Sequence, residues 1–355
     1  MELSRKEIAL QHYYRELFPS STLSLWLRYI TKREFSFSLA SGAYIRYLTF
    51  NNPMELQEKL VKDSPEKLDI GAVYLHRPGG VSPNNPVLGK ELVFDIDLTD
   101  YVRPCCTDKG MCDQCFPLIK CAIKTMQYVL ESHFGFKQIL FVFSGGRGVH
   151  CWVSDPIAVT STCRDRNNII EYFQRLEKGE IKDTQIDSIL LAYSPPPTSS
   201  STSTKSTSTP TKSTPSKSTS TPTKSTSTPT KSTPTKSTPT KSTPSKSTPT
   251  HPNTTLPNTN SNTTSPSLSP SEREQLYRTF FPKLDQAVTK QTKHLLKAPF
   301  CIHPRTEKVC VPLTLQDLDT LSLANLPTLS SVLHNKSLLT PYLAHFTTYA
   351  NSISK

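Results

Sequence analysis

The chain has 355 residues, and its 41 lysines and arginines exceed its 29 acids, giving a net charge of +12. Eight of these charges are lysines of residues 198–271, a tract of almost only Ser, Thr, Pro, Lys and Asn, so the rest of the chain carries about +4. The basic composition therefore does not by itself indicate a nucleic-acid partner. The lack of an 18-residue apolar run and of a secretory leader predicts a soluble, intracellular protein with no membrane partner.

Helical and strand-like patterns alternate along the first 153 residues. Apolar residues recur with helical spacing over 5–18, 24–31, 54–62 and 116–134, and patterns typical of strands occur over 33–39, 43–50, 68–75, 91–98, 138–143 and 149–153. Ser41-Gly42 predicts a hairpin turn between the first two strands. This alternation predicts a mixed α/β (α+β) fold with an antiparallel or mixed sheet, not a doubly wound parallel one.

The predicted strand 91–98 carries two acids on one face. Because side chains alternate along a strand, Asp95 and Asp97 point away from Phe94 and Ile96. A pair of carboxylates on a rigid surface can hold Mg²⁺ or Mn²⁺ for phosphoryl chemistry. Taken alone, the pair is more simply explained as two solvated acids on an exposed strand face.

The cysteines divide into a cluster and a scattered set. Cys105, Cys106, Cys112 and Cys115 form C-C-x5-C-x2-C, whose C-x2-C half has the spacing of a zinc site. Four sulfurs leave no open coordination position, so the pattern predicts a structural zinc, with clustered free thiols as the alternative. The scattered cysteines lie in apolar segments and are predicted core residues: Cys121, Cys151, Cys163, Cys301 and Cys310.

A glycine-rich segment joins two predicted strands at residues 144–150, Ser-Gly-Gly-Arg-Gly-Val-His. Its glycines let backbone amides approach an anion, and Arg147 and His150 add directed hydrogen-bond donors. It is not a Walker loop, because it lacks G-x4-G-K-[ST] and the helix that follows that motif. In isolation this segment is more often only a turn.

The pattern ends after residue 189, and the tract 198–271 cannot bury enough apolar surface to offset its chain entropy. The sequence therefore predicts residues 1–197 as the first part of a core that includes the zinc motif 105–115, residues 198–271 as a disordered linker, and residues 272–355 as the C-terminal part of the core. Residues 272–296 are predicted to be helical, and residues 300–311 are predicted to form a hairpin.

Several motifs together resemble one family. They occur, in its order, at residues 13–19, 33–37, 44–47, 69–74, 94–97, 144–155, 281–285 and 294–304, with the cysteine cluster between them. The sequence resembles the catalytic small subunit of eukaryotic-type DNA primase, within the archaeo-eukaryotic primase superfamily. The resemblance implies a mixed-sheet primase-polymerase core that synthesises short RNA primers on single-stranded DNA from ribonucleoside triphosphates.

The resemblance also implies roles for particular residues. Asp95, Asp97 and Asp285 are the expected carboxylate ligands of two catalytic Mg²⁺ or Mn²⁺ ions. The expected nucleotide contacts are Ser144, Arg147, His150, Lys297 and His303, with Arg46 and Asp69 as further positions near the site. The implied partners are the large primase subunit and the DNA polymerase alpha complex, which implies a nuclear location.

Two features depart from the family pattern, and two other functions compete. The family motif usually reads S-G-R-R-G, whereas Gly146 replaces its first arginine. Family members also commonly carry a helical subdomain in the interval that the linker occupies. Another two-metal nucleotidyltransferase or nuclease accounts for the carboxylates but not for the triphosphate contacts. A non-catalytic subunit with the primase fold is disfavoured because all three acids are present.

Overall fold

The computed structural model describes residues 4–79, 84–106, 110–194 and 268–353. Residues 268–353 pack with residues 4–194 in one unit. The Tyr13 hydroxyl, for example, donates a hydrogen bond to the Phe300 carbonyl at 2.8 Å. The predicted disordered linker lies outside the described residues except for 268–271, and there α8 already begins at Pro270 because Ser269 and Glu272 form a capping box.

The strands form two sheets in which every described pairing is antiparallel. They are β1 (Arg33–Ser38), β2 (Tyr44–Leu48), β3 (Lys67–Tyr74), β4 (Val87–Gly89), β5 (Leu92–Asp97), β6 (Ile139–Phe143), β7 (Gly148–Val153), β8 (Leu296–Lys297) and β9 (Pro312–Leu313). The first sheet has the order β2-β1-β3-β4, with β8 also paired to β3, and the second has the order β5-β7-β6-β9. The predicted mixed α/β class and the antiparallel alternative are confirmed.

The described helices are α1 (Arg5–Glu16), α2 (Ser20–Leu27), α3 (Pro53–Asp63), α4 (Phe116–Ser132), α5 (Pro156–Val159), α6 (Cys163–Glu177), α7 (Thr184–Leu191), α8 (Pro270–Phe280), α9 (Gln286–Lys290), α10 (Leu329–His334) and α11 (Thr340–Ile353). Helices α5, α6, α7 and α8 lie in the interval between the glycine-rich turn and Asp285. None of the helices in the described ranges combines the length and the apolarity needed to cross a bilayer.

The two faces of β5 differ as the alternation predicts. Phe94 and Ile96 are fully buried, and Phe94 packs against Phe173 of α6 with ring centroids 5.7 Å apart. Asp95 and Asp97 on the other face are only half-buried. The apolar face therefore anchors the strand in the core while the acidic face stays accessible.

The predicted helix over 272–296 is correct only in part, because the structure has two helices there, α8 and α9, separated by residues 281–285. Helix α8 ends at Phe280, and Phe281 is extended (φ −64°, ψ 141°), because a residue before proline disfavours the helical region and Pro282 follows. Asp285 then caps the short helix α9, and the chain continues into β8. The break at Pro282 lets residues 281–285 run alongside β5.

The predicted burial of the scattered cysteines is correct for four of the five, since Cys121, Cys151, Cys301 and Cys310 are buried. Cys163 is exposed, and its prediction as a core residue is wrong. It is the first residue of α6, whose buried face begins at Arg166. The first turn of this helix therefore lies on the surface.

Candidate active site

The acidic strand lies directly beside the glycine-rich turn. In the pairing of β5 with β7, Asp95 is opposite His150 and Asp97 is opposite Gly148. A Cβ at Gly148 would lie 2.3 Å from the Ile96 carbonyl oxygen, so only glycine permits this approach of the two backbones. The two motifs are therefore neighbours in space.

Residues from the last part of the chain complete the site. The Asp285 N–H donates to the Asp95 carbonyl at 3.0 Å, which brings the third acid to β5. Lys297 lies on β8 opposite Asp69 of β3, and its Nζ donates to the Ser144 carbonyl at 2.5 Å. One acid and one cation thus reach the motifs of the second sheet from distant positions in the chain.

His303 packs over the glycine-rich turn. The Thr306 hydroxyl donates to the Gly145 carbonyl at 2.5 Å, and the Thr306 N–H donates to Nδ1 of His303 at 3.3 Å. A Cβ at Gly146 would lie 2.9 Å from Nε2 of His303. The imidazole therefore occupies the space into which a side chain at position 146 would extend.

One cavity of about 290 Å³ gathers most of the predicted site residues. Eight of them line it: Asp95, Asp97, Asp285, Ser144, Arg147, His150, Lys297 and His303. The sequence reasoning missed Lys67, His294 and Arg305, which also line it. His294 and Arg305 adjoin Lys297 and His303 within or beside the last motif, which was the available signal, whereas nothing local marks Lys67.

Arg46 and Asp69 line an adjacent cavity of about 490 Å³. Nε of Arg46 lies 2.8 Å from a carboxylate oxygen of the buried Glu34, and Asp69 lies 3.0 Å from Nζ of Lys67. Lys67 and His294 line both cavities. The structure therefore places these two predicted contacts beside the acidic cavity rather than within it.

The acids are crowded by like charges. Burial, followed by the charges of Asp97 and Asp285, raises the pKa of Asp95 to about 6. Burial opposes ionisation of Asp97 as well, but hydrogen bonds from Thr99 and from Arg147, whose Nε lies 2.6 Å away, keep the Asp97 pKa below its ordinary value. A divalent cation would relieve the repulsion at Asp95, so the donor set fits hard metal ions.

The basic side chains of the cavity also lie close to one another, which affects its two histidines. Burial, then Lys297 and Lys67, lowers the pKa of His150 to about 3. Burial, then Lys297 and Arg305, lowers the pKa of His303 to about 4. Both imidazoles are therefore neutral at physiological pH, and a bound polyanion would reverse the electrostatic part of each shift. The cavity thus has acids that fit cations and positive groups that fit an anion.

The four clustered cysteines form a second candidate site. Their sulfur atoms all lie within 4.8 Å of one another, and among the described residues they are the only group of three or more potential ligands this close. Sγ of Cys115 lies 3.9 Å from Sγ of Cys106 and 3.9 Å from Sγ of Cys112. A tetrahedron with Zn–S bonds of about 2.3 Å has edges of about 3.8 Å. The cluster can therefore hold a metal ion.

Comparisons with known proteins identify a family to which the chain is similar. A sequence model of the DNA primase small subunit family matches residues 94–315. The chain is 33% identical to the DNA primase small subunit of Schizosaccharomyces pombe over 90% of this chain and 76% of that protein. It is 31% identical to the Saccharomyces cerevisiae small subunit over 98% of this chain and 91% of that protein.

Other matches cover a smaller part of this chain or have a lower sequence identity. PriS of Pyrobaculum islandicum is 28% identical over 41% of this chain and 47% of that protein. The polymerase domain of Mycobacterium tuberculosis ligase D, solved with DNA, aligns over 95% of this chain and 92% of that chain at 13% identity, with a TM-score of 0.41. On the family match and the yeast relatives, the chain belongs to the DNA primase small subunit family.

Proposed function

We propose that this chain is the catalytic subunit of a DNA primase, which joins ribonucleoside triphosphates into short RNA primers on single-stranded DNA and so initiates DNA replication. The observation that carries the proposal is one cavity lined both by three carboxylates and by a set of cationic and imidazole groups. Such a cavity fits both halves of a metal–triphosphate complex.

The three acids of the cavity would bind the metal ions. Asp95, Asp97 and Asp285 would hold two Mg²⁺ or Mn²⁺ ions, which when bound activate a 3′-hydroxyl and neutralise the leaving pyrophosphate. Asp95 must give up its proton to act as a ligand, and the positive charge of a bound ion would favour that ionised form. The hydrogen bond from Arg147 holds the Asp97 carboxylate in one orientation. The backbone bond between Asp285 and Asp95 keeps those two acids on one strand edge.

The cationic and imidazole groups of the same cavity would bind the triphosphate. Arg147 offers a planar guanidinium, Lys297 a point charge, and the neutral His150 and His303 offer hydrogen bonds, as does the Ser144 hydroxyl. Arg46 and Asp69 would contact the rest of the same nucleotide, because their cavity shares Lys67 and His294 with the acidic one.

The test is incorporation of labelled ribonucleotides on a poly-pyrimidine single-stranded DNA template with Mn²⁺. Asp95→Asn, Asp97→Asn and Asp285→Asn keep the side-chain volume but remove the charge, and each should lower the rate at least 100-fold. Asp319→Asn is the matched control, because Asp319 is an exposed acid that pairs with Lys124. It should retain the wild-type rate.

The same assay separates the competing functions. A wild-type chain that incorporates no nucleotide, alone or with the large subunit, would indicate a non-catalytic role. Degradation of the template in place of synthesis would indicate a nuclease. Wild-type turnover in any one of the three Asn variants would remove that acid from the metal site.

We also assign the cysteine cluster to one structural Zn²⁺, which Cys105, Cys106, Cys112 and Cys115 would hold. Cys115 caps α4, so the ion would tie the loop after β5 to that helix. Atomic absorption should find one zinc per wild-type chain and less in Cys115→Ser, with a lower melting temperature. Cys163→Ser alters an exposed cysteine outside the cluster and should keep both values. Zinc-free wild-type protein of full stability would contradict the assignment.

Family membership supports a proposal for the partners. We infer that the chain works with a large primase subunit and the DNA polymerase alpha complex, in the nucleus. The small subunits of four eukaryotes match over at least 90% of this chain. Co-expression with the cognate large subunit should give one complex on size exclusion, and two separate peaks at micromolar concentration would contradict this.

A further inference from the structure

Lys90 lies at the point where the chain passes from one sheet to the other. Only Lys90 and Glu91 join β4 of the first sheet to β5, the acidic strand of the second. The Lys90 side chain is 0% exposed. Its N–H donates to the Val159 carbonyl at 3.0 Å, and its own carbonyl accepts a hydrogen bond from Arg166. The backbone of this connection is therefore fixed.

The charges around Lys90 are already satisfied by other groups. Both carboxylate oxygens of Glu91 accept hydrogen bonds from Arg33 at 2.8 Å. Arg166 donates to backbone carbonyls. Lys90 forms no salt bridge within the described ranges. Burial, and then the charge of Arg166, lowers the pKa of Lys90 to about 7. An ammonium buried without a carboxylate is costly, and an apolar side chain of the same volume would avoid that cost.

What Lys90 does contact is the active-site segment 291–297. Its Nζ donates a hydrogen bond to the His294 carbonyl, although the two residues are 204 positions apart. This segment runs from the end of α9, whose first turn Asp285 caps, to Lys297 on β8. It lines both cavities through His294 and Leu295. Lys90 itself lines neither of them.

We propose that Lys90 is a positioning residue that holds segment 291–297 in its nucleotide-binding conformation through the His294 carbonyl. The inference rests on the proposed function, because it concerns the same cavity. Without the ammonium, the His294 carbonyl loses its buried donor and the segment is free to shift between α9 and β8. A small displacement there moves the Lys297 ammonium and the His294 ring away from a bound nucleotide, and small misplacements cost binding and rate.

The test compares Lys90→Met with the wild-type full chain. Isothermal titration with the non-hydrolysable analogue α,β-methylene ATP in Mn²⁺ measures affinity, and primer synthesis measures KM and kcat. We expect Kd and KM to rise about 5- to 20-fold, or roughly 1–2 kcal/mol. Amide hydrogen exchange in peptides covering 291–297 should be faster in the variant. Lys90→Gln keeps a donor with shorter reach and should give an intermediate Kd.

The matched control is Arg33→Met, which removes a buried cation of β1 that pairs with Glu91 of the same connection. The Arg33 guanidinium donates to Glu91 and to the Gly71 and Leu27 carbonyls, all of which lie outside segment 291–297. The variant should lower stability and leave Kd within twofold of wild type. A wild-type Kd in Lys90→Met, or an equal rise in Arg33→Met, would overturn the inference. If Lys90→Met does not fold, a wild-type Kd and wild-type exchange in Lys90→Gln would overturn it instead.

Failure of the proposed function has a different outcome. A wild-type chain that does not bind the analogue would overturn the proposed function, and this inference with it. Wild-type binding that Lys90→Met leaves unchanged would overturn only the role of Lys90.

Discussion

The two groups of charged side chains at the ends of β5 differ in how they are satisfied. Before the strand, Arg33 and Glu91 form a buried bidentate pair whose side chains are 2% and 4% exposed. At its far end, Asp95 is crowded by the charges of Asp97 and Asp285, and Nε2 of the neutral His150 is 3.7 Å away. Charges paired within the protein stabilise the fold, whereas charges crowded by like neighbours fit a ligand that the protein does not itself supply.

Breaking the satisfied pair should have the largest effect on stability. Arg33→Met leaves Glu91 charged and buried, and it also removes donors from the Gly71 and Leu27 carbonyls. The free energy of unfolding should fall by about 3–5 kcal/mol, measured by urea denaturation. Arg175→Met breaks a pair whose side chains are 57% and 49% exposed, and it should cost less than about 1 kcal/mol. Equal losses in the two variants would remove the distinction.

Replacing the crowded Asp95 by a neutral residue should instead raise the free energy of unfolding. In the native state the pKa of Asp95 is about 6, whereas the ordinary value of an aspartate is near 4. Ionised Asp95 therefore lowers the free energy of unfolding. This loss is absent below pH 4 and complete above pH 6. In the absence of divalent ions at pH 8, Asp95→Asn should therefore raise the free energy of unfolding by about 2 kcal/mol. The gain should disappear at pH 4.

Asp155→Asn is the matched control for the stabilisation expected in Asp95→Asn. Its carboxylate accepts hydrogen bonds from the backbone N–H groups of Lys137 and Gln138 at 3.0 and 2.8 Å. Asp155→Asn should therefore destabilise the protein at pH 8, because it weakens charge-assisted bonds. A stabilising Asp155→Asn or a destabilising Asp95→Asn would contradict the comparison.

A smaller effect is expected from removing one of the phosphate-binding groups, Arg147. Arg147→Ala should raise KM for the ribonucleoside triphosphate about tenfold, equivalent to about 1.4 kcal/mol, with a smaller change in kcat. The reason is the loss of a bidentate phosphate contact without loss of a metal ligand. Arg164→Ala, at an exposed position of α6, is the control in the same steady-state assay. An unchanged KM would mean that Arg147 serves only to orient Asp97.

The smallest effect is expected at Gly146. A methyl group there would press on the His303 imidazole, so Gly146→Ala should shift the ring and raise KM about threefold, or roughly 0.6 kcal/mol. At Gly79 an added Cβ would meet no described atom within 4 Å, so Gly79→Ala should leave KM unchanged. An unchanged KM in Gly146→Ala would show that His303 can relax without loss of binding.

Local patterns predicted most of the elements, whereas the roles of the acidic and glycine-rich motifs came from the resemblance to a family. The alternation around Asp95 predicted the strand and its acidic face, because a period of two depends only on backbone geometry. The cysteine spacing predicted a cluster whose sulfur atoms lie within 4.8 Å of one another. The helical prediction over 272–296 missed the break at Pro282, and Cys163, predicted as a core residue, is exposed at the first turn of α6.

The meeting of distant residues was decided only by the tertiary structure. The backbone bond from Asp285 to Asp95 and the pairing of β8 with β3 bring the last part of the chain to the acidic strand. Lys67 carries no local mark, yet it lines both cavities. Nothing in the sequence distinguishes Lys90 from a surface lysine, yet it is buried and donates a hydrogen bond to the His294 carbonyl. Composition and periodicity report on neighbours along the chain, whereas burial and charge crowding depend on which segments the fold brings together.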